Sequence, residues 1–317
     1  MVGYNPQNEI HLSHKEFAFA GALSGAISRV VAQPLDVLKI RFQLQVDPIQ
    51  QSQGSLYQGL IHAVRKIAVE EGISAFWKGH VPAQALSIFY GIAQYTFFEA
   101  LTKGSWYLMP ESLNAEWRPV THTVCGGLSG CISTFVVQPI DVIRTRFVAQ
   151  GGTKIYFNVY QAFFHIAHQE GVRGFYRGLT PALLQIAPQM GLQFGLYSFF
   201  TLMWDNIKGT TSFKIPGPVE SFFCGTGAGF LSKMIVYPLD VIKKRLQIQG
   251  FEKARKNFGT FHTYYGFLHC CRHIVLNEGI RGLYKGLLPS VLKAGVVSGT
   301  IFCVYDQIIA VLILLHR

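Results

Sequence analysis

Long apolar stretches alternate with polar ones along the whole chain. Six windows are dominated by apolar and small side chains: 17–35, 81–98, 120–140, 179–204, 221–239 and 287–305. A helix needs about 20 residues to cross a hydrocarbon layer about 30 Å thick, so each window is long enough for one crossing. Glycine pairs four residues apart favour closely packed helices over a barrel: Gly21/Gly25, Gly126/Gly130 and Gly225/Gly229. The pattern predicts an all-α membrane protein with six transmembrane helices.

The connections between these windows alternate long and short, and the basic residues concentrate in the long ones. Segments 39–80, 141–178 and 240–286 contain 19 Lys and Arg residues, against four in the short connections. Basic loops tend to face the more negative compartment. We therefore expect the long connections on that side and both termini on the opposite side.

Composition agrees with a membrane protein and points to anionic partners. Only 14% of the 317 residues are charged, the mean hydropathy is +0.27, and the net charge is +11. Lipid headgroups or a phosphorylated small molecule fit this excess of cations. Nucleic acid is disfavoured because no long basic block or zinc spacing occurs.

The six cysteines form no C-x-x-C pair and are expected to be free thiols. Residues 1–12 lack a cleavable presequence pattern, so any targeting signal is expected to be internal.

One motif occurs three times, at offsets of 105 and 99 residues. Its copies are Pro34-Leu-Asp36-Val-Leu-Lys39-Ile-Arg41, Pro139-Ile-Asp141-Val-Ile-Arg144-Thr-Arg146 and Pro238-Leu-Asp240-Val-Ile-Lys243-Lys-Arg245. Each copy is followed by a Glu-Gly pair and then an aromatic-Lys/Arg-Gly triplet: Glu71 and 77–79, Glu170 and 176–178, Glu278 and 284–286. We predict three repeats, 1–110, 111–212 and 213–317, forming one integrated domain. Each repeat has two membrane helices joined by a short amphipathic helix on the basic side.

These triplicated motifs resemble the mitochondrial carrier family over essentially the whole chain. The resemblance implies six tilted helices around a threefold pseudo-axis in the inner mitochondrial membrane, with termini toward the intermembrane space. It also implies a central substrate site and transport by alternating access. The protein is expected to be a monomer, and it is not expected to be an enzyme. Segments 1–4, 76–84, 243–247 and 250–255 are similar to the branch of the family that transports thiamine pyrophosphate.

Each motif places a carboxylate and a cation three residues apart, on one face of a helix. The resemblance implies that they pair between repeats as a gate on the matrix side: Asp36 with Arg144, Asp141 with Lys243 and Asp240 with Lys39. It further implies that Gln43 and Gln247 brace such pairs, whereas Val148 does not. On the other side the family's acidic and basic pattern is incomplete, with Phe98-Glu99 and Thr102, Tyr197-Ser198 and Thr201, and Tyr305-Asp306 and Ile309. Aromatic and hydrogen-bonded closure is expected there.

Three cations interrupt the apolar windows, and such residues are usually functional. Arg29 and Lys233 each lie five residues before a motif proline, and Lys293 lies seven after Gly286. Thr134 is the equivalent of Arg29 in the second repeat, and Leu86 and Gln185 are the equivalents of Lys293. The cations suit a di- or triphosphate, and the wall with Leu86, Ser87, Gln185 and Ile186 suits a flat, hydrogen-bonding group. Thiamine pyrophosphate, a nucleotide and coenzyme A all fit; the Arg-Arg-Arg-Met-Met-Met run of the ADP/ATP carrier is absent at 243–248.

Glycine-ended turns beside aromatic residues predict lipid sites, because helix N-termini bind anions. In the family such turns hold cardiolipin phosphates. The residues expected to take part are Gly59, Trp77, Gly79, Tyr176, Gly178, Gly266, Tyr284 and Gly286. The middle repeat has Tyr156-Phe157-Asn158 at one such position, without the glycine.

Enzymatic chemistry has little support in the sequence. His165 with His168, and His269 with His273, have helical spacing, but no acidic residue or cysteine completes a metal site. We expect no catalytic residue, no metal and no cofactor. A proton-leak or structural protein of the same fold would be expected to lack the substrate cations or the gate.

Overall fold

The computed structural model describes residues 13–47, 56–108, 118–151, 154–210, 217–251 and 262–315. Their regular structure is entirely helical, as predicted. In chain order the helices are α1 (His14–Leu44), α2 (Leu60–Glu70), α3 (His80–Leu108), α4 (Arg118–Ala149), α5 (Val159–Phe175), α6 (Leu179–Thr210), α7 (Gly217–Gln247), α8 (Phe267–Glu278) and α9 (Leu287–Leu315). Two 3-10 segments, Ile73–Trp77 and Ile280–Tyr284, precede α3 and α9.

Each of the six apolar windows lies within one of the six long helices, and α1, α4 and α7 continue beyond the motif proline. Two described stretches, Val120–Ala149 and Ile280–Leu314, are long and apolar enough to cross a membrane by hydropathy alone. The other long helices mix more polar residues into their length. The predicted repeat boundaries at 110/111 and 212/213, and segments 1–4 and 252–255, lie outside the described residues and stay predictions.

The long helices form a ring in which each repeat packs on the next. Helix α3 packs along α4, α6 along α7, and α9 returns to pack along α1. The helices α1, α4 and α7 meet at their C-terminal ends, where they bury a shared apolar cluster of Val37, Ile40, Leu44, Val148, Ala149 and Ile248. Because the last repeat contacts the first, the three repeats enclose a central space that is closed at this end.

The short helices α2, α5 and α8 lie over that closed end through their apolar faces. Ile67, Ile166 and Ile274 are each at most 1% exposed and belong to the apolar clusters of their own repeats. One short amphipathic helix per repeat is therefore present, as the sequence predicts.

A buried arginine anchors each short helix to its repeat. Arg41 pairs with Glu71, Arg146 with Glu170 and Arg245 with Glu278. The arginines also donate to backbone carbonyls of the next repeat in the ring; Arg41, for example, donates to Val148 O at 3.3 Å and Gln150 O at 3.2 Å. Burial would raise the pKa of Glu278, but the hydrogen bonds from Arg245 outweigh it and the pKa lies below the ordinary 4.5. These ion pairs fix the closed end of the ring.

The residue before each motif proline joins the two long helices of a repeat. The side chains of Gln33, Gln138 and Tyr237 donate to the carbonyls of Lys78, Arg177 and Lys285, at 3.1, 3.0 and 3.1 Å. Pro34 has no N–H, so the Val30 carbonyl loses its helical donor. The Trp77 indole donates to that carbonyl at 3.1 Å. The sequence motif thus secures the proline-containing turn of the helix.

Candidate functional site

Three inter-repeat ion pairs close the ring just beyond the motif prolines. Arg144 Nη2 lies 2.7 Å from Asp36 Oδ2, Lys243 Nζ 2.8 Å from Asp141 Oδ2, and Lys39 Nζ 2.9 Å from Asp240 Oδ2. The structure therefore brings together all six charged residues expected in the matrix gate, in the expected pairs. We call these six residues the gate ring.

The gate ring is less symmetric than the motifs suggest. Asp141 binds a second lysine, Lys244, at 2.9 Å. Lys244 Nζ also contacts Thr145 Oγ1 at 3.0 Å and Gln247 Oε1 at 2.9 Å. Sequence reasoning missed Lys244, because its repeat equivalents are Ile40 and Thr145 and the triplicated motif does not include this position.

The two predicted braces have different outcomes. Gln247 donates to Asp141 Oδ2 at 2.8 Å and therefore braces that carboxylate. Gln43 does not bridge the Lys39–Asp240 pair; its amide donates to the Tyr237 hydroxyl at 3.1 Å. The cause is the tyrosine that stands before the motif proline in the third repeat, where the other repeats have glutamine. Its ring lies 5.7 Å from Lys39 Nζ, so a cation–π contact accompanies the ion pair.

The three cations of the apolar windows share one carboxylate, Asp36, as an electrostatic partner. Arg29 and Lys233 are half-buried, and both lie within electrostatic range of Asp36. Arg29 donates to Ala83 O at 3.2 Å. Lys293 contacts Asp36 directly, since its Nζ binds Oδ1 at 2.7 Å and Oδ2 at 2.8 Å. Lys293 therefore belongs to the predicted substrate site and also contacts the gate ring.

The remaining predicted substrate residues line the other walls. Thr134 on α4 lies close to the hydroxyl of Tyr90 on α3, a residue that sequence reasoning did not single out. Ile186 packs against Gly130. Gln185 contacts Gln189 at 3.3 Å and interacts with Asp240. Leu86 and Ser87 are half-buried on α3, and the Ser87 hydroxyl is buried with no hydrogen-bond partner among the described residues.

At the opposite end of the ring, the residues expected to close it bond within their own helices. The Thr102 hydroxyl donates to Phe98 O at 2.8 Å, and the Thr201 hydroxyl to Tyr197 O at 3.0 Å. Glu99 pairs with Lys103 on the same helix at 2.7 Å. The described conformation is therefore one in which the gate ring is closed and these polar groups do not bond across the opposite end.

The predicted lipid turns lie at helix starts. Helices α2, α3, α6, α8 and α9 begin directly after Gly59, Gly79, Gly178, Gly266 and Gly286. Gly59 and Gly286 line one cavity of about 560 Å³, together with Tyr284. Two helix N-termini, from the first and third repeats, thus open into the same cavity and can bind an anion there.

The other aromatic residues of these turns contact residues of their own repeat. The turn at Asn158 in the middle repeat differs from the others. Tyr176 stacks on Phe135 with ring centroids 4.8 Å apart, and Trp77 donates to Val30. In the middle repeat the Asn158 side chain accepts from Gln161 N at 2.8 Å. Because that side chain already caps α5, this turn offers one free amide fewer to a lipid phosphate.

Among the residues that the structure describes, no group of three His, Cys, Asp or Glu side chains is arranged to hold a metal ion. The rings of His262, His269 and His273 do lie near one another, with centroids 4.4 Å and 6.2 Å apart. Burial, followed by the charges of His262 and His269, lowers the pKa of His273. His165 contacts the Tyr156 hydroxyl at 3.4 Å.

Three repeats of two long helices and one short helix, joined by a ring of inter-repeat ion pairs, define the class of protein. The chain belongs to the mitochondrial carrier protein family, whose sequence model matches residues 12–106, 116–207 and 216–314. It is 43% identical over 315 residues to the mitochondrial thiamine pyrophosphate carrier of Bos taurus, with 96% of each chain covered. It is 43% identical over 318 residues to the Homo sapiens protein of the same name, covering 96% of this chain and 95% of the other. Mitochondrial thiamine diphosphate carrier 1 of Zea mays is 38% identical over 312 residues, with 92% of each chain covered.

Proposed function

We propose that this carrier transports thiamine pyrophosphate across the inner mitochondrial membrane, in exchange for other phosphates of the (deoxy)nucleotide type. Relatives named for thiamine pyrophosphate match nearly the full length of the chain, which supports this substrate. The termini face the intermembrane space and the short helices face the matrix. The chain acts as a monomeric transporter and not as an enzyme.

The observation that carries the proposal is that three cations gather near one carboxylate: Lys293 binds Asp36 at 2.7 and 2.8 Å, and Arg29 and Lys233 interact electrostatically with it. A diphosphate bound there exchanges its hydration shell for charge-assisted hydrogen bonds in a poorly hydrated site. Thr134, Tyr90 and Gln185 offer hydrogen-bonding groups on the other walls, which suit the neutral amino-substituted ring of the substrate. The charge distribution therefore matches a molecule with one anionic end and one neutral end.

Transport by alternating access requires a gate that closes firmly and opens at low cost. The gate ring suits this task because an intact buried ion pair contributes little net free energy, whereas removing one partner costs about 3–5 kcal/mol. The ion pairs can thus be exchanged for another set of contacts as the carrier changes conformation. The glycine turns, including the cavity lined by Gly59 and Gly286, bind cardiolipin phosphates and hold the repeats in the membrane.

Exchange in liposomes tests the substrate. Purified carrier is reconstituted with internal thiamine pyrophosphate, and uptake of labelled thiamine pyrophosphate, thiamine, deoxynucleotides, ATP and coenzyme A is compared. Thiamine should fail because it lacks the phosphates. The result that favours a different substrate is faster exchange of a nucleotide or of coenzyme A, the other compounds that the cations could accept.

A matched pair of variants links transport to the site. Lys293→Ala should nearly abolish exchange, because the substrate loses a charge partner in the central space. Lys66→Ala removes a lysine from α2 that pairs with Glu70 in the same helix, and it should leave exchange unchanged. Equal exchange by both variants would remove Lys293 from the site.

A further inference from the structure

Asp36 receives most of its hydrogen bonds from the substrate wall and not from the gate ring. Lys293 supplies two of the three bonds from lysine and arginine, to Oδ1 at 2.7 Å and to Oδ2 at 2.8 Å. Arg144 supplies one, to Oδ2 at 2.7 Å. The Arg144 Nε is buried with no hydrogen-bond partner among the described residues, so the Asp36–Arg144 pair is not bidentate. Without Lys293, Asp36 would keep one oxygen bonded to Arg144.

Lys293 is also more exposed than the carboxylate that it binds. Its side chain is 27% exposed, whereas the side chain of Asp36 is 8% exposed. It projects from α9, while both Asp36 and Arg144 lie on helices that form the closed end of the ring. Lys293 is therefore open to a second partner, whereas Asp36 is largely enclosed.

The same relation occurs once more in the molecule, in a weaker form. Gln185, the repeat equivalent of Lys293, interacts with Asp240 of the next repeat. The third equivalent of Lys293 is Leu86 in the first repeat, and its side chain has no polar group. The gate carboxylate of the next repeat, to which it would correspond, is Asp141. That carboxylate is held instead by Lys244 and Gln247 of α7. A charged link between the substrate wall and the gate ring is thus found at Asp36.

We propose that Lys293 is shared: Asp36 holds it when the central space is empty, and a substrate phosphate takes it over on binding. Substrate binding then leaves Asp36 with Arg144 alone and weakens the ion pair between the first and second repeats. This inference rests on the proposed phosphate-bearing substrate. A ligand shifts a conformational equilibrium only through contacts that differ between the states, and competition for one lysine is such a contact.

The proposal predicts that Asp36 and the phosphate compete for Lys293. Binding of inorganic pyrophosphate to the detergent-solubilised carrier is measured by calorimetry for the wild type, Asp36→Asn, Lys293→Gln and the double variant. Lys293→Gln should weaken binding roughly tenfold, since a charge-assisted hydrogen bond is lost. Asp36→Asn should tighten binding on the order of fivefold or more by releasing Lys293, and this gain should vanish in the Lys293→Gln background.

Asp141→Asn is the matched control, since it removes a gate carboxylate that does not bind Lys293. Its effect on pyrophosphate affinity should be the same with and without Lys293. Should Asp36→Asn not fold, Arg144→Gln takes its place. Asp36 then holds Lys293 alone, and Arg144→Gln should weaken binding more when Lys293 is present than in the Lys293→Gln background.

The outcomes separate this inference from the proposed function. If Asp36→Asn tightens binding equally in both backgrounds, or not at all, Lys293 is not shared, although a tenfold loss in Lys293→Gln would keep it in the substrate site. If Lys293→Gln binds pyrophosphate as the wild type does, or if the wild type does not bind it, the sharing is refuted. The liposome exchange of thiamine pyrophosphate decides the proposed function separately.

Discussion

Substituting Gly286 by alanine tests how closely the third repeat approaches the gate ring. Gly286 has a φ of +83°, and a Cβ there would lie 2.8 Å from the Lys39 carbonyl oxygen, 3.0 Å from the Tyr237 hydroxyl and 3.2 Å from Gln43. The left-handed conformation costs an L-residue about 1–2 kcal/mol. Crowding in a packed region typically adds about 1–3 kcal/mol. We expect Gly286→Ala to lower the free energy of unfolding by about 2–5 kcal/mol.

Two glycines of the same repeat separate these contributions. Gly279 has a φ of +69°, and a Cβ at that position would meet no neighbouring heavy atom within 4 Å. Gly279→Ala should therefore show only the conformational cost, about 1–3 kcal/mol for a residue with a φ of +69° and a ψ of −177°. Gly295 is helical and equally uncrowded, so Gly295→Ala should be neutral or stabilising by up to about 1 kcal/mol. Unfolding of the detergent-solubilised variants gives the order of stability. A Gly286→Ala loss no larger than that of Gly279→Ala would refute the close approach.

Three further predictions concern charge and reactivity. Because the folded-state pKa of Glu278 is lowered, its stabilisation is present above its ordinary pKa of 4.5 and is lost as pH falls below it; Glu278→Gln should flatten the acid side of the stability–pH curve. Burial raises the pKa of the Cys270 thiol to about 12, so mass spectrometry should find that iodoacetamide at pH 8 modifies the less buried Cys271 of the same short helix well before Cys270. Asp240→Lys alone should impair exchange severely, and Lys39→Asp in the same chain should restore part of it in liposomes; a double variant no better than either single one would contradict the pairing.

The sequence predicted the features that recur in all three repeats. The apolar windows marked six helices, and the triplicated motif placed Asp36, Asp141 and Asp240 at one level with their cations. Periodicity suffices for this because a helix fixes which residues share a face, and repetition fixes the height at which they stand. The ion pairs between repeats also needed the resemblance to a known family, since one sequence does not give the order of helices in the ring.

The features that the sequence did not predict are those that differ between repeats. Lys244 is one of several basic residues in its segment. The sequence does not indicate that its side chain binds Asp141 instead of facing solvent. Gln43 stands at the position expected for a brace, yet its amide donates a hydrogen bond to the Tyr237 hydroxyl instead. Tyr90 was indistinguishable from other aromatic residues in an apolar window. In each case the partner is more than 40 residues away in the chain, so local pattern carries no information about it.

The difference between a symmetric gate and an asymmetric substrate site has a physical reason. Closing a ring of three repeats requires the same contact three times, so each motif must supply a carboxylate and a cation at the same height. A substrate in the centre imposes no such condition, because it contacts each wall through different chemical groups. Arg29, Lys233 and Lys293 can therefore gather on one side, while Thr134, Leu86 and Gln185 occupy equivalent positions without charge. Under the function proposed above, a site built in this way would favour an elongated ligand with one phosphorylated end, and it would orient that end toward Lys293, where the gate ring contacts the substrate wall.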